Sequence, residues 1–336
     1  MRNLSIFDKV FFILNSILAF LFLVSLIIPY LKPSIFPFLS ILSLFSPIII
    51  LLNILFLFFW IIKRKKHFLL SFIVLLIGNN SLINFINFSS NSQSFDNSIS
   101  LLSYNVRLFN IYNWIKDDSI QHKIRNFLTK EDPDIISLQE YQNSEFNLPQ
   151  YEYKYENLRG ESLKYGQAIF SKYPIINSGS LNFSSSSNNA IFSDIKINND
   201  TVRIYNIHLE SFSLDKEIRS SDTHNINFLK DLSRTFMIQE KQVELLNNSI
   251  YESPYEYIIS GDLNNTAYSY IYAELIKNTK DSFKEKGNWF GVTYSYNLIP
   301  LRIDFILVNK KFKVRDFKTY QIKFSDHKPI YSEFTY

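Results

Sequence analysis

The sequence predicts about three membrane-spanning helices followed by an α/β domain in which helices are layered on stacked β-sheets. Three observations carry this. Two long apolar runs without a charged residue fall within the first 62 positions. From residue 99 the chain changes to short apolar strands separated by turn residues, with a few amphipathic helices between them. The charge divides at the same place: residues 1–85 hold seven Lys or Arg and one acid, a net +6, and the remainder has 28 basic against 30 acidic residues, a net −2.

A length of 336 residues fits about two domains at roughly 150 residues each. With 46% hydrophobic residues and a net charge of only +4, most of the chain is excluded from disorder. No Cys is present, which excludes a disulfide framework, a Cys-ligated metal site and a cysteine nucleophile. The basic pI belongs to the N-terminal segment, so it does not argue for nucleic-acid binding by the rest.

Taken in order, Val10–Tyr30 is 21 residues without a charge, against the ~20 needed to cross a hydrocarbon core. Phe36–Ile62 is 27 residues, also uncharged, with Pro47 inside and Trp60 near its end, where an interfacial aromatic is expected. No small-residue cleavage site follows the first run, which argues against a signal peptide. Phe68–Phe88 is expected as a third span, although Gly78, Asn79 and Asn80 interrupt it. Lys63–Lys66 lies between the second and third segments and marks the cytoplasmic side. Three spans then deliver the rest of the chain outside the cytoplasm, and two would leave it inside. The expected division is a membrane region over 1–88, a polar linker over 89–98 and a catalytic domain over 99–336.

In that domain Ser100–Val106 reads as a buried strand. His122–Lys130 is a helix, with Ile124, Phe127 and Leu128 at helical spacing and Asp132-Pro133-Asp134 as its stop. Strands follow at Asp134–Gln139, Gln167–Phe170, Ile191–Ile197 and Val202–Leu209. A helix covers Phe236–Leu246, and strands return at Tyr257–Ser260, Arg302–Val308 and Lys328–Tyr331. This alternation points to α/β layers around stacked sheets.

Polar residues cluster at the strand ends. Asn105, Glu140, His208, Asp262 with Asn264, Asp304, and Asp326-His327 each stand beside an apolar strand. Taken singly, each has an ordinary explanation as a turn residue, a cap or a satisfied core histidine. His67, His122 and His224 are assigned no chemistry.

Their order carries more weight. SYNVR, SLQE, NIHLE, GDLNN, LRIDFIL and SDHKP resemble the successive signature motifs of the endonuclease/exonuclease/phosphatase superfamily, over roughly residues 100–336. The resemblance implies a four-layer α/β sandwich of two packed mixed sheets flanked by helices, and Mg²⁺- or Mn²⁺-dependent cleavage of a phosphoester. Carried over motif by motif, it implies metal ligation by Glu140, with Asn105 beside it and Asp326 nearby. It implies that Asp262 positions or deprotonates the attacking water and that Asn264 contacts phosphate. His327 would bind phosphate or transfer a proton, oriented by Asp304, and His208 would act on the phosphate side, as an acid for the leaving oxygen. Gln167 stands where some members have an acid, and Tyr165 is a possible phosphate contact.

The residue types suit that chemistry in their own right. Hard divalent cations take carboxylate and amide oxygens, histidines titrate near neutrality, and a carboxylate fixes an imidazole tautomer. No Gly-rich P-loop is present. The expectation is therefore a membrane-anchored, metal-dependent phosphodiesterase or phosphatase in the plasma (inner) membrane. Its partners would be the lipid bilayer and a lipid or headgroup phosphoester, and no obligate protein partner is evident. The alternatives are a nuclease and an inactive membrane-bound binding protein. Lys216, Arg219, Lys230, Arg234 and Lys241 are read as a solvated loop and helix face rather than a nucleic-acid patch.

Overall fold

The computed structural model describes residues 5–89, 98–143, 146–161, 163–184, 186–212, 224–296 and 299–335. Helix α1 (Ile6–Ser25) is capped by the Ser5 hydroxyl, which accepts from the Asp8 amide. After a turn of 3₁₀ helix at Ile28–Tyr30, α2 (Leu42–Ile62) runs through Pro47, which lies near its start. Both are long and apolar enough to cross a membrane. The expected third span is not one helix. It breaks at Gly78 into α3 (Phe68–Ile77) and α4 (Asn79–Phe85), bent by 83°. A Cβ at Gly78 would stand 2.4 Å from the Phe22 ring, so glycine lets the bend pack directly against α1. The last two residues of the segment, Asn87–Phe88, are strand and pair with Asn288–Trp289. Of the expected linker, residues 90–97 lie outside the described residues.

The bundle buries polar side chains among apolar ones and is apolar outside. Asn15 Nδ2 donates to Ser71 Oγ at 2.7 Å, and Trp60 Nε1 donates to Asn15 Oδ1 at 3.0 Å, tying α1, α2 and α3 together. Asn53 Nδ2 donates to Leu18 O at 3.2 Å. Large apolar side chains such as Ile17, Phe20, Leu55, Phe58 and Phe72 point outward. Small and amide side chains at helix contacts with apolar residues outside is the packing of helices in lipid.

Among the described residues the remainder builds twelve principal strands. The first six are β1 (Ile99–Asn105), β2 (Ile135–Gln142), β3 (Tyr153–Arg159), β4 (Tyr165–Ser171), β5 (Ile175–Ser180) and β6 (Ala190–Ile197). The others are β7 (Asp200–His208), β8 (Glu256–Asp262), β9 (Thr279–Asp281), β10 (Asp304–Asn309), β11 (Lys313–Thr319) and β12 (Ile330–Thr335). One mixed sheet has the order β11-β12-β1-β2-β4-β3 and the other β9-β10-β8-β7-β6-β5. Ile135, Ile169, Ile204, Ile258, Ile306 and Ile330 fill the space between them. On the outer faces, α5 (Ile120–Glu131) covers the first sheet through Ile124 and Leu128. Helices α6 (His224–Glu252) and α7 (Tyr270–Ile276) cover the second through Val243, Leu246, Ile271 and Leu275. Burial on both faces explains the unbroken apolar runs: Leu101 and Ile135 face the inner core, and their neighbours Leu102 and Ile136 face α5. This is the four-layer sandwich that the motifs imply.

The domain sits on the end of the bundle opposite Lys63–Lys66. Ser34 donates to the Glu240 carboxylate from both backbone N and Oγ, at 2.7 and 3.0 Å. Thr266 Oγ1 donates to Ser43 O at 2.8 Å, and Tyr268, buried among Phe22, Ile50 and Leu75, donates to Ser81 O at 3.2 Å. At the far end Lys63 pairs with Asp8 at 3.3 Å.

Candidate active site

Strand register assembles the site. In the second sheet the parallel pairing of β7 with β8 sets His208 opposite Asp262, and the antiparallel pairing of β8 with β10 sets Asp304 opposite Asp262. Three chemically active residues thus lie side by side across three strands. Gly261 makes this row possible. Its φ is +136°, and a Cβ there would lie 2.0 Å from Ile207 O, so only glycine allows this approach.

In the first sheet β1 ends at Asn105, opposite Gln139. Glu140 does not end its strand as the sequence suggests. It is the extra residue of a β-bulge between Gln139 and Tyr141, with φ +48°, and β2 continues to Gln142. The bulge re-aims the carboxylate into the cleft. Asn264 (φ +46°) and Arg107–Asn110 also hold positive φ beside the cleft, a concentration of unusual backbone typical of functional sites.

Asn105 joins the two sheets: its Nδ2 donates to Glu140 Oε1 at 3.1 Å and to Asp262 Oδ2 at 3.2 Å. Asp262 Oδ1 accepts from the Asn264 amide at 2.7 Å. The Asn264 side chain donates to Leu209 O at 3.0 Å. His208 Nε2 lies 3.6 Å from Asp262 and 3.9 Å from Glu140. His327 Nε2 lies 3.6 Å from Asp262, while its Nδ1 is 2.9 Å from Asp304 Oδ2. Asp326 accepts from Ser325 Oγ at 3.1 Å and pairs with Arg107 at 3.3 Å. All eight residues singled out from the sequence therefore converge on one end of the two sheets. Glu140, His208, Asp262, Asn264, Asp326 and His327 line a cleft of about 410 Å³.

Other residues of the site escaped the sequence. Thr293 Oγ1 accepts from the amides of Ile303 and Asp304, both at 3.1 Å, and Tyr294 packs on the His327 ring at 4.8 Å. Arg107, in the SYNVR motif, stacks on Trp114 at 4.4 Å. Its position directly after a strand end was the available signal. Gln167 is buried between the sheets and donates to Asn206 O at 2.9 Å, so it orients no imidazole. Tyr165 lines the cleft. Lys216 and Arg219 lie outside the described residues, and Lys230, Arg234 and Lys241 are exposed on α6.

Burial and charge set the protonation states. Desolvation raises the Glu140 carboxyl above the usual range. Desolvation also pushes Asp262 up to about 6, against the pull of both imidazoles. The histidines diverge. Desolvation lowers His208 and outweighs the nearby Asp262, whereas in His327 burial is overcome by Asp304 and Asp262, which hold it well above its ordinary value. The two imidazoles are thus biased in opposite directions, His208 toward the neutral and His327 toward the charged form.

The cleft also suits a divalent cation. Glu140, Asp262 and Asp304 form no ion pair with Lys or Arg among the described residues, and the basic side chains nearest to them are imidazoles. A buried excess of carboxylates with an amide oxygen beside them is a donor set for a hard metal. Donor atoms of Asp262, Asp304 and His327 lie within 4.8 Å of one another. There, however, Nδ1 of His327 is already committed to Asp304, so the Glu140 side is the freer one.

Comparison with known proteins agrees with this architecture. No curated protein matches the chain in sequence. Among solved structures, humanized D. rerio TDP2 carrying 14 mutations is similar with a TM-score of 0.55 at 17% identity, covering 71% of this chain and 99% of that one. An endonuclease/exonuclease/phosphatase from Bacteroides vulgatus has a TM-score of 0.54 at 19% identity, covering 70% and 98%. D. rerio TDP2 complexed with a single-strand DNA product has a TM-score of 0.54 at 16% identity, covering 72% and 100%. These likenesses show the fold. Residues 8–85 match a family described only as a domain of unknown function. Residues 102–327, two thirds of the chain, match the profile of the Endonuclease/Exonuclease/phosphatase family. With the two sheets and the six motifs in order, the chain belongs to that family, whose fold is one of metal-dependent phosphoester hydrolases.

Proposed function

We propose that the protein is a membrane-anchored phosphoester hydrolase, dependent on Mg²⁺ or Mn²⁺, that acts on lipid or headgroup phosphoesters outside the cytoplasm. The observation that carries the substrate class is the position of the cleft. Its wall residue Phe212 packs with Phe236 and with Ile41 and Leu44 at the domain end of the second apolar stretch. Asn264 lines the cleft, and the next two residues, Asn265 and Thr266, hydrogen-bond to Ser43. The reaction centre thus lies close to the bundle's end, where headgroups lie if the helices span.

Glu140 would hold the metal, with Asn105 and Asp326 beside it. The bound ion would neutralise phosphate charge and stabilise the transition state. Asp262, with a carboxyl pKa raised to about 6, suits a base that takes a proton from the attacking water. His327, kept charged by Asp304, suits hydrogen bonding to a phosphate oxygen. His208, kept neutral by burial, suits a fixed donor on the leaving side better than a standing acid. Asn264 would add a backbone-braced contact to phosphate.

Sidedness follows from the docking end. Basic clusters stay in the cytoplasm, and Lys63–Lys66 lies at the end of the bundle remote from the domain. The chain reaches the domain end only through α3 and α4, so this sidedness makes the bent segment the third crossing.

A nuclease is the second reading. It is favoured by Tyr112 and Trp114, exposed rings 5.1 Å apart in the cleft wall, which offer a surface on which a base can stack. The deciding experiment places the full chain in nanodiscs and compares Mg²⁺-dependent hydrolysis of phospholipid, a soluble phosphodiester and single-stranded DNA, with Glu140→Gln as blank. Turnover of DNA alone would favour the nuclease reading, and no turnover of any phosphoester would overturn both.

A further inference from the structure

Away from the catalytic cleft, the domain carries an exposed aromatic strip beside the bundle. Phe88 is 69% exposed, Trp289 65% and Phe290 45%. The pairing of Asn87–Phe88 with Asn288–Trp289 brings the Phe88 and Trp289 rings to 5.6 Å, and Phe290 packs on Phe85, the last residue of α4, at 5.2 Å. Trp289 keeps its exposure at a φ of +60°, a costly conformation for a bulky residue. Residues 287–301 contain no charged side chain. A contiguous exposed apolar patch of this kind marks a contact surface.

The position of the strip identifies its partner. Phe85, Phe290 and Val292 share the wall of one cavity, of about 310 Å³, with Pro47, Ile48 and Leu51 of α2. At about 1.5 Å per residue, Pro47 and Leu51 lie about 8 and 14 Å along α2 from Leu42, its domain end. With α2 spanning, that depth falls in the domain-side half of a ~30 Å hydrocarbon core. Leu51 is exposed and shares one face of α2 with exposed Leu55 and Phe58, so the strip continues a surface that the bundle already turns to lipid. The 83° bend after α3 also turns α4, and with it Phe85 and Phe88, away from the direction of α3.

We propose that Phe88, Trp289 and Phe290 enter the bilayer, so that the domain meets lipid directly as well as through the helices. Their partner is the boundary between headgroups and acyl chains on the domain's side of the membrane. An indole suits that depth, because its N–H reaches headgroups while its ring, like those of Phe88 and Phe290, lies against the upper acyl chains. The domain is then held twice, by the hydrogen bonds of Glu240 and Thr266 to the bundle and by this strip to the lipid. The inference rests on the membrane reading of α2, not on the substrate proposed above.

The test places single-cysteine variants of the full chain, which has no cysteine of its own, in phosphatidylcholine nanodiscs, each carrying one environment-sensitive fluorophore. Phe88→Cys and Trp289→Cys report the strip, Leu55→Cys reports α2, and Tyr251→Cys reports an exposed position on α6; all four side chains are exposed. Phosphatidylcholine with a nitroxide high on its acyl chain should quench the probes at 88 and 289 severalfold more than the probe at 251. It should also quench them more than lipid with the nitroxide near the chain end, which should quench the probe at 55. Without any label, brominated phosphatidylcholine should quench the tryptophan emission of the parent more than that of Trp289→Phe, since Trp60 is buried and Trp114 stands in the cleft wall. Probes at 88 and 289 quenched no more than the probe at 251 overturn the contact, as does equal bromine quenching of parent and Trp289→Phe. Probes that are shifted to the blue yet unquenched also overturn it, and mean that protein, a second copy included, covers the strip. An unquenched probe at 55 overturns the membrane reading beneath the proposal. No arm depends on turnover, so a failure of the phosphoester reading is told apart from a failure of this one.

Discussion

His327 and Asp304 form a buried pair in which Nδ1 of the imidazole faces both carboxylate oxygens, at 2.9 and 3.1 Å. The pair is itself held from behind, because Thr293 accepts from the Asp304 amide. Nδ1 carries the proton in such a contact, which leaves Nε2 to face the cleft near Asp262.

That pairing makes a kinetic prediction. Removing either member should cost orders of magnitude in kcat, and the double variant should be little slower than His327→Ala alone, because residues acting as a unit do not contribute additively. A double-mutant cycle with fully additive losses would show that they act independently.

The same pair sets the direction of a pH effect. Burial opposes protonation of His327, but Asp304 and Asp262 hold its pKa well above the ordinary value. If the charged ring is the active form, activity falls as pH rises through that raised pKa, and on the acid side it falls as Asp262, raised to about 6, takes up a proton. Asp304→Asn removes the nearest negative charge, so the alkaline limb of the pH–rate profile should move to lower pH. A limb at the same pH in both proteins would sink the assignment.

Glu140→Gln should abolish metal-dependent turnover with the fold intact. The bulge that aims residue 140 is a backbone feature, and an amide is nearly isosteric with the carboxylate. Calorimetric titration of Mn²⁺ should show the affinity lost together with the activity, and a circular dichroism spectrum should be unchanged. Ordinary affinity in the variant would place the metal elsewhere.

Gly261→Ala should be the most damaging small substitution in the domain. The new methyl would stand 2.0 Å from Ile207 O at a φ of +136°. Relieving it requires β7 and β8 to separate, and a strained, overpacked position of this kind costs about 3 kcal/mol or more. Chemical denaturation should show that loss. A stability within error of the parent would mean that the strand contact is not needed to align His208 with Asp262.

Much of the domain was legible because the chemistry lies at the ends of strands buried on both faces, which leave unbroken apolar runs ending in a polar residue. Asn105, His208 and Asp262 each end such a strand. The arrangement that makes them a site was not legible, because it depends on register. The alignment of His208, Asp262 and Asp304 requires two strand pairings that no local pattern encodes. Thr293 looks like an ordinary loop residue until the fold brings it to Asp304, and Ser325 of SDHKP donates to Asn105 O only once the strands are in place. Strands β3, β5 and β11 passed unnoticed because each carries exposed or polar positions at the edge side of its sheet. In the membrane region, composition gave the apolar segments, but the bend at Gly78 answers to a contact with Phe22 of another helix.

Sidedness is the prediction with most consequence for substrate. The domain hydrogen-bonds to one end of the bundle through Ser34, Ser43, Ser81 and Asn84, and the Lys63–Lys66 cluster occupies the other. Since basic loops stay in the cytoplasm, and the chain passes from that turn to the domain by way of α3 and α4, the domain should stand outside with this bent segment as the third crossing. The chain has no cysteine, so single-cysteine variants give an unambiguous readout. Tyr251, 91% exposed near the end of α6, reports the domain, and Lys65 reports the basic turn. In intact cells whose outer barriers admit the reagent, a membrane-impermeant maleimide should label Tyr251→Cys at once. Lys65→Cys should be labelled only after the membrane is opened. The reverse pattern would put the cleft in the cytoplasm, and with it a soluble nucleotide or nucleic acid would become the better substrate.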